Sequence, residues 1–171
     1  MSPGQGYQMS TSSGSTVAFN GYLNMSNVAY AITEYDGVGV GTQWNLVSNP
    51  FTSYICLNSA AASASSAATT DFLTYNASTS DVLGLSVGED VVYYWDGDSY
   101  ETYSNSDSAK YIAPGQGFFV SSANASGSSV VLGTSMQTHA TTDDFITGDA
   151  MDPDRAELFI SLHQNDLQRL T

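Results

Sequence analysis

Short runs of alternating apolar and polar side chains recur along this chain, separated by clusters of Gly, Asn, Asp and Ser. A period of two puts successive side chains on opposite faces of a half-buried strand. The runs that fit are 6–11, 16–21, 28–34, 43–48, 90–95, 99–103, 117–122, 129–133 and 156–163. Many short strands divided by turn signals predict an all-β domain, an antiparallel β-sandwich or jelly-roll-like fold. One segment dissents: residues 58–75, NSAAASASSAATTDFLTY, are low in complexity and rich in small side chains. The reading favoured there is a surface loop with one helical turn near 70–73; the alternative is a short helix ending in Phe72-Leu73.

A repeat underlies part of this pattern. PGQGYQMSTSSGSTVAFNG (3–21) and PGQGFFVSSANASGSSVVLGT (114–134) both read as turn, strand, small polar turn, strand and Gly. Proline presets φ for the first corner of a turn, the next Gly supplies positive φ, and the second Gly allows close backbone approach. Each copy is therefore expected to be a β-hairpin, and the two PGQG-led hairpins to occupy related places in one sandwich. The starts at positions 3 and 114 are too far apart for a solenoid, whose period is about 20–50 residues. No turn requires glutamine, so Gln5 and Gln116 either satisfy loop backbone groups or contact a ligand.

Length and charge narrow the class. The chain has 171 residues, enough for one domain with a core, and residues 1–171 are expected to form a single β-sandwich module. Three Lys+Arg stand against 17 Asp+Glu, a formal charge of −14. No basic groove is available for phosphates, so nucleic acid and anionic membrane surfaces are poor partners. The single cysteine, Cys56, has no internal bridge partner; between Ile55 and Leu57 it is expected to be a buried hydrophobe. No signal peptide, membrane-spanning run or anchor motif is seen, and Met1 abuts Ser2-Pro3-Gly4, a turn that belongs inside a module. The expectation is a fragment of a longer extracellular protein.

Two further stretches are distinctive. WNLVSNPF (44–51) reads as a strand stopped by Asn49-Pro50, and VVYYWDGDSYETY (91–103) as a hairpin turning at Asp96-Gly97. Tyr93, Trp95 and Tyr100 are placed to line one face of it.

WNLVSNPF, then YYWDGDSYETY, then IAPGQGFFV, followed by TSM and a later strand AELFISL, resembles a module found near the C-termini of large secreted and cell-surface proteins of the Bacteroidota. Gly4-Gln5-Gly6-Tyr7 matches that family's upstream Gly-(Lys/Gln)-Gly-Tyr hairpin, and the resemblance covers most of residues 3–165. It departs at Ser48, where Gly is usual, and at Gln137, where Arg is usual. The resemblance implies a non-catalytic β-module at the cell surface or outside the cell, exported by the type nine secretion system. It carries over no catalytic residue.

The residues themselves supply no catalytic set either. His139 and His163 are the only histidines, and neither lies near a nucleophile motif. The Asp residues of GDAMDPDRAE, namely Asp149, Asp152 and Asp154, form either a solvated acidic loop or a calcium site, without EF-hand spacing. Calcium is thus the one candidate cofactor, and none is required. Asp107-Ser108-Ala109 fits a short O-glycosylation acceptor pattern of the Bacteroidota.

Aromatic side chains point to binding. Eleven Tyr and two Trp in a chain poor in Lys and Arg suit stacking on sugar rings. The candidate ligand contacts are Trp95, Tyr100, Tyr103 and Gln116. Against this, Trp44 and Trp95 are expected in the core because they sit in strands, with Tyr100 and Tyr103 exposed on the hairpin.

Two classes of function follow. One is a structural or adhesive module, whose partners are neighbouring modules or copies of itself joined through strand edges into a joint or filament. The other is a carbohydrate-binding module beside a secreted enzyme, which predicts a planar row of exposed aromatics. Joint exposure of Trp95, Tyr100 and Tyr103 separates the two.

Overall fold

A computed structural model describes residues 2–7, 22–33, 44–77, 91–95, 98–122 and 128–139. The expected strands 16–21 and 156–163, most of 6–11, the Asp96-Gly97 corner, His163, and Asp149, Asp152 and Asp154 lie outside the described residues.

Within them the architecture is all-β and antiparallel. The strands are β1 Val28–Ile32, β2 Trp44–Ser48, β3 Tyr54–Cys56, β4 Val91–Trp95, β5 Tyr100–Ser104, β6 Tyr111–Ile112, β7 Gly117–Ser121, β8 Ser128–Leu132 and β9 Gln137–Thr138. They form sheets ordered β2-β7-β4-β5, β6-β3-β9 and β1-β8. Six of them coincide with the alternating runs. The three-stranded sheet was not foreseen, because strands of two or three residues are too short to display a period.

Alternation sorts the four-stranded sheet into two faces. Val47, Phe118, Val120, Val92 and Tyr94 point inward and are buried. They join Ile32, Val130 and Leu132 from the two-stranded sheet, and Ile55 and Ile112 from the three-stranded one, in a single core cluster. Burying a large side chain of this kind contributes about 1.5–3 kcal/mol.

Residues 58–75 hold two helices where a loop with one turn was favoured. Helix α1 spans Ser59–Ala64 and α2 spans Phe72–Asn76. Asn58 and Asp71 supply the reason, each accepting a backbone N–H of the first turn through its side-chain oxygen, from Ala61 at 3.1 Å and Thr74 at 2.7 Å. Alanine-rich sequence does the rest in α1. Helix α2 packs Phe72 edge-on against Phe118, ring centres 5.1 Å apart, and so closes the core over the inner sheet face.

The Pro-Gly-Gln-Gly copies take the same turn but do not both build hairpins. Gln5 N donates to Ser2 O and Gln116 N to Ala113 O, closing two four-residue turns. Their third positions, Gly4 at φ 81° and Gly115 at φ 72°, have the positive φ that a type II turn requires. Beyond the turns, the two copies flank β2 from opposite sides. Gly6 N donates to Leu46 O and Ser48 N to Gly4 O on one edge, while Ser48 faces Gly117 on the other. The expected hairpin of 114–134 is corrected here: β7 is occupied by β2 and β4, and β8 crosses to pair with β1 in another sheet.

Asn49 ties these pieces together. It is buried, and its amide nitrogen donates to the carbonyls of Ser53, Ile112 and Ala113 at 2.9–3.1 Å, while its side-chain oxygen accepts from Phe51 N. Its backbone N–H donates to Gln116 O, and its carbonyl accepts from Gly115 N. The Asn-Pro turn is therefore locked to the second Pro-Gly turn and to β6.

Candidate functional site

The outer face of the four-stranded sheet carries aromatics where a solvent-facing sheet ordinarily carries polar side chains. Trp44 on β2, Phe119 on β7, Tyr93 and Trp95 on β4 and Tyr100 on β5 all have the outward parity, opposite to the buried set. Strands β2 and β4 flank β7, about 9–10 Å apart at ordinary sheet spacing, yet the rings of Trp44 and Tyr93 approach to 4.3 Å between centres. On the intervening strand the register partner of Trp44 is Ser121, a small side chain that is almost fully covered. Tyr100 likewise reaches across β4 to Phe119, at 5.8 Å and 78° between ring planes. It also meets Trp95, its cross-strand partner, at 5.0 Å and 67°.

Between these rings lies a groove of 380 Å³ lined by Trp44, Tyr93, Tyr100 and Phe119. Trp44, Tyr93 and Phe119 are half-buried, whereas Trp95 and Tyr100 are 54% and 59% exposed.

The predicted site residues divide accordingly. Trp95 and Tyr100 stand together on this face, so the expectation of Trp95 in the core is corrected; Val92 and Tyr94 take the inward positions of β4 and leave Trp95 outside. Trp44 departs from the core expectation in the same way.

Tyr103, expected to be exposed, sits on the inner face. It lies three positions after Tyr100, and an odd step along a strand reverses the face. It stacks on Tyr94 at 4.9 Å and 10°, shares a hydroxyl hydrogen bond with it at 3.0 Å, and carries the Lys110 ammonium 4.6 Å from its ring centre.

Gln116 lies in the turn, where its side-chain oxygen accepts Ala113 N–H at 3.0 Å. In the first copy, Gln5 does the same work through a relay. Tyr7 donates its hydroxyl to Gln5 Oε1 and accepts Ser2 N–H, both at 3.0 Å. Both glutamines thus serve the N–H of the residue that opens their turn.

Phe119 was not singled out from sequence. In Gly-Phe-Phe-Val two adjacent Phe must face opposite ways, which marks one of them as outward-facing; that it lands beside Tyr100 depends on strand order.

Two polar groups away from this face have shifted titrations. Cys56 is buried, and desolvation, with Asp71 adding repulsion, pushes its thiol up to about 11 against the opposing hydrogen bonds of Ser65 and Thr138. The Asp107 carboxylate accepts from the N–H and hydroxyl of Ser104, which hold it below the usual carboxylate range, and Lys110 adds a weaker pull. Ser108 beside it is exposed. Among the described residues no group of three or more His, Cys, Asp or Glu is placed to hold a metal ion. No helix among them is long and apolar enough to cross a membrane.

Comparison of the chain with known protein families, curated proteins and solved structures returns no match.

Proposed function

We propose that this chain is a non-catalytic adhesive module of a large extracellular or surface-attached protein, and that it makes contact through the outer face of its four-stranded sheet. The observation that carries this reading is the aromatic set Trp44, Tyr93, Trp95, Tyr100 and Phe119 gathered on one face. Exposed rings in a cluster are costly to leave in water unless a partner covers them. Tyr and Trp bring large contact area with few rotatable bonds, which suits a binding surface. The resemblance to surface modules of the Bacteroidota supplies the extracellular setting.

A second reading, a carbohydrate-binding module, is favoured by the joint exposure of Trp95 and Tyr100. Their planes meet at 67°, which departs from the flat row that stacking on an extended polysaccharide calls for.

Screening the labelled protein on a glycan array and on immobilised extracellular protein surfaces tests both readings. Retained signal that falls for Trp95→Ala and Tyr100→Ala supports the contact face, with glycan spots alone favouring the second reading. Signal that survives both substitutions places the contact elsewhere.

A further inference from the structure

The groove between the rings has a shape and an electrostatic setting that suit one kind of ligand. Its four lining rings come from four different strands, and the angles measured among the aromatics of this face are 59°, 67° and 78°. Steeply inclined rings around a concavity wall a recess with aromatic surface, unlike a flat platform. An aromatic face carries negative electrostatic potential and attracts a cation within about 6 Å of its centre.

Charge points the same way. The chain bears −14 overall, and its three basic residues are Lys110, Arg155 and Arg169. Among the described residues Lys110 is the only one, and it is committed to the ring of Tyr103 on the opposite face of the sheet. The molecule thus already holds one ammonium by an aromatic face. Among the described residues the groove's lining includes no such internal cation, and Asp98 stands two positions before Tyr100 in sequence. Net negative charge raises the local concentration of small cations.

Size selects further. At 380 Å³ the groove lies near the lower end of the range of about 300–1,000 Å³ for small-molecule sites. A compact ligand fits that volume better than an extended chain. Apolar walls favour a cation that sheds water readily and carries methyl groups, and the described lining residues offer no basic partner for an anionic arm.

We infer that the groove lined by Trp44, Tyr93, Tyr100 and Phe119 is a cation–π site for a small quaternary ammonium compound of choline's size and charge. The inference rests on the reading of this face as a contact surface and names its ligand chemistry.

Isothermal titration of the full chain with choline chloride tests it, run beside the neutral isostere in which a quaternary carbon replaces the nitrogen. Saturable choline binding about tenfold or more tighter than the isostere is expected, since only the cation gains the ring attraction. Added salt should weaken it. Tyr100→Ala should abolish binding at an unchanged thermal midpoint, while Tyr100→Phe, which keeps the ring, should retain it. Equal binding of choline and the isostere, or no choline binding by the wild-type chain, overturns the inference without any variant having to fold. If choline fails while the array signal still depends on Tyr100, the contact face stands and only its ligand is wrong; if both fail, the face itself falls.

Discussion

Gln116 accepts the backbone N–H of Ala113 at 3.0 Å while its own N–H returns to the carbonyl of the same residue, so one glutamine closes its turn twice. Gln5 and Ser2 repeat the pair with the Tyr7 hydroxyl inserted between them. The repeated glutamine is accounted for by turn chemistry.

Gln116→Ala is accordingly expected to destabilise the fold by about 1 kcal/mol, the usual net value of one hydrogen bond. Gln5→Ala, which breaks an exposed relay, should cost less. Urea unfolding curves for the two variants give the comparison, and a larger loss for Gln5→Ala would contradict it.

Asn49 predicts a larger effect. Asn49→Ala removes a donor from three backbone carbonyls and an acceptor from Phe51 N at once. A loss of about 3 kcal/mol or more is expected, because buried groups left unpaired cost their desolvation. Asn49→Asp should be no milder, since an ionised carboxylate has no proton to offer those carbonyls. Wild-type-like midpoints for either variant in chemical denaturation would show that the network is dispensable.

The motif glycines should differ in kind. At Gly6 an added Cβ would collide with Leu46 Cγ, and at Gly4 the positive φ is joined by Val28, Tyr30 and Leu132 within 3.0–3.3 Å. Gly117 meets nothing closer than 3.4 Å. Gly4→Ala and Gly6→Ala should therefore lower the thermal midpoint clearly, whereas Gly117→Ala should leave it nearly unchanged. Differential scanning calorimetry reads all three.

Cys56 makes a pH prediction. Its folded thiol titrates near 11, raised by burial from an ordinary 9.0. Between those values the unfolded chain has released the proton and the folded chain has kept it. Folding therefore binds a proton there, and stability must fall as pH rises from about 9 to about 11, with the contribution intact below that window. Denaturant midpoints measured across this range should decline, and the thiol should resist iodoacetamide at pH 8 until the chain is unfolded. Rapid labelling of the native protein would contradict the burial.

Much of this was legible before any coordinates. Alternation located six strands, and Pro-Gly with a following Gly marked two turns whose φ values match. Parity along β4 and β5 also separates Tyr93, Trp95 and Tyr100 from Tyr94 and Tyr103. Where the reading failed, a partner distant in sequence decided the outcome. The strands of the second repeat looked like a hairpin because they are adjacent in the chain, yet β7 found β2 and β4, and β8 found β1. Short β3, β6 and β9 exist because they pair with one another, too briefly to leave a pattern.

By itself, then, the chain's order of side chains determined an acidic, antiparallel β protein with defined turns and with strands that each have two unlike faces. Local sterics and burial set these properties, and both act within a few residues. Tertiary structure alone decided which face met the core, and it alone brought Trp44, Tyr93, Tyr100 and Phe119 around one groove. Strand order is chosen by packing between distant segments, and a period of two labels the faces of each strand without saying which neighbour will lie beside it.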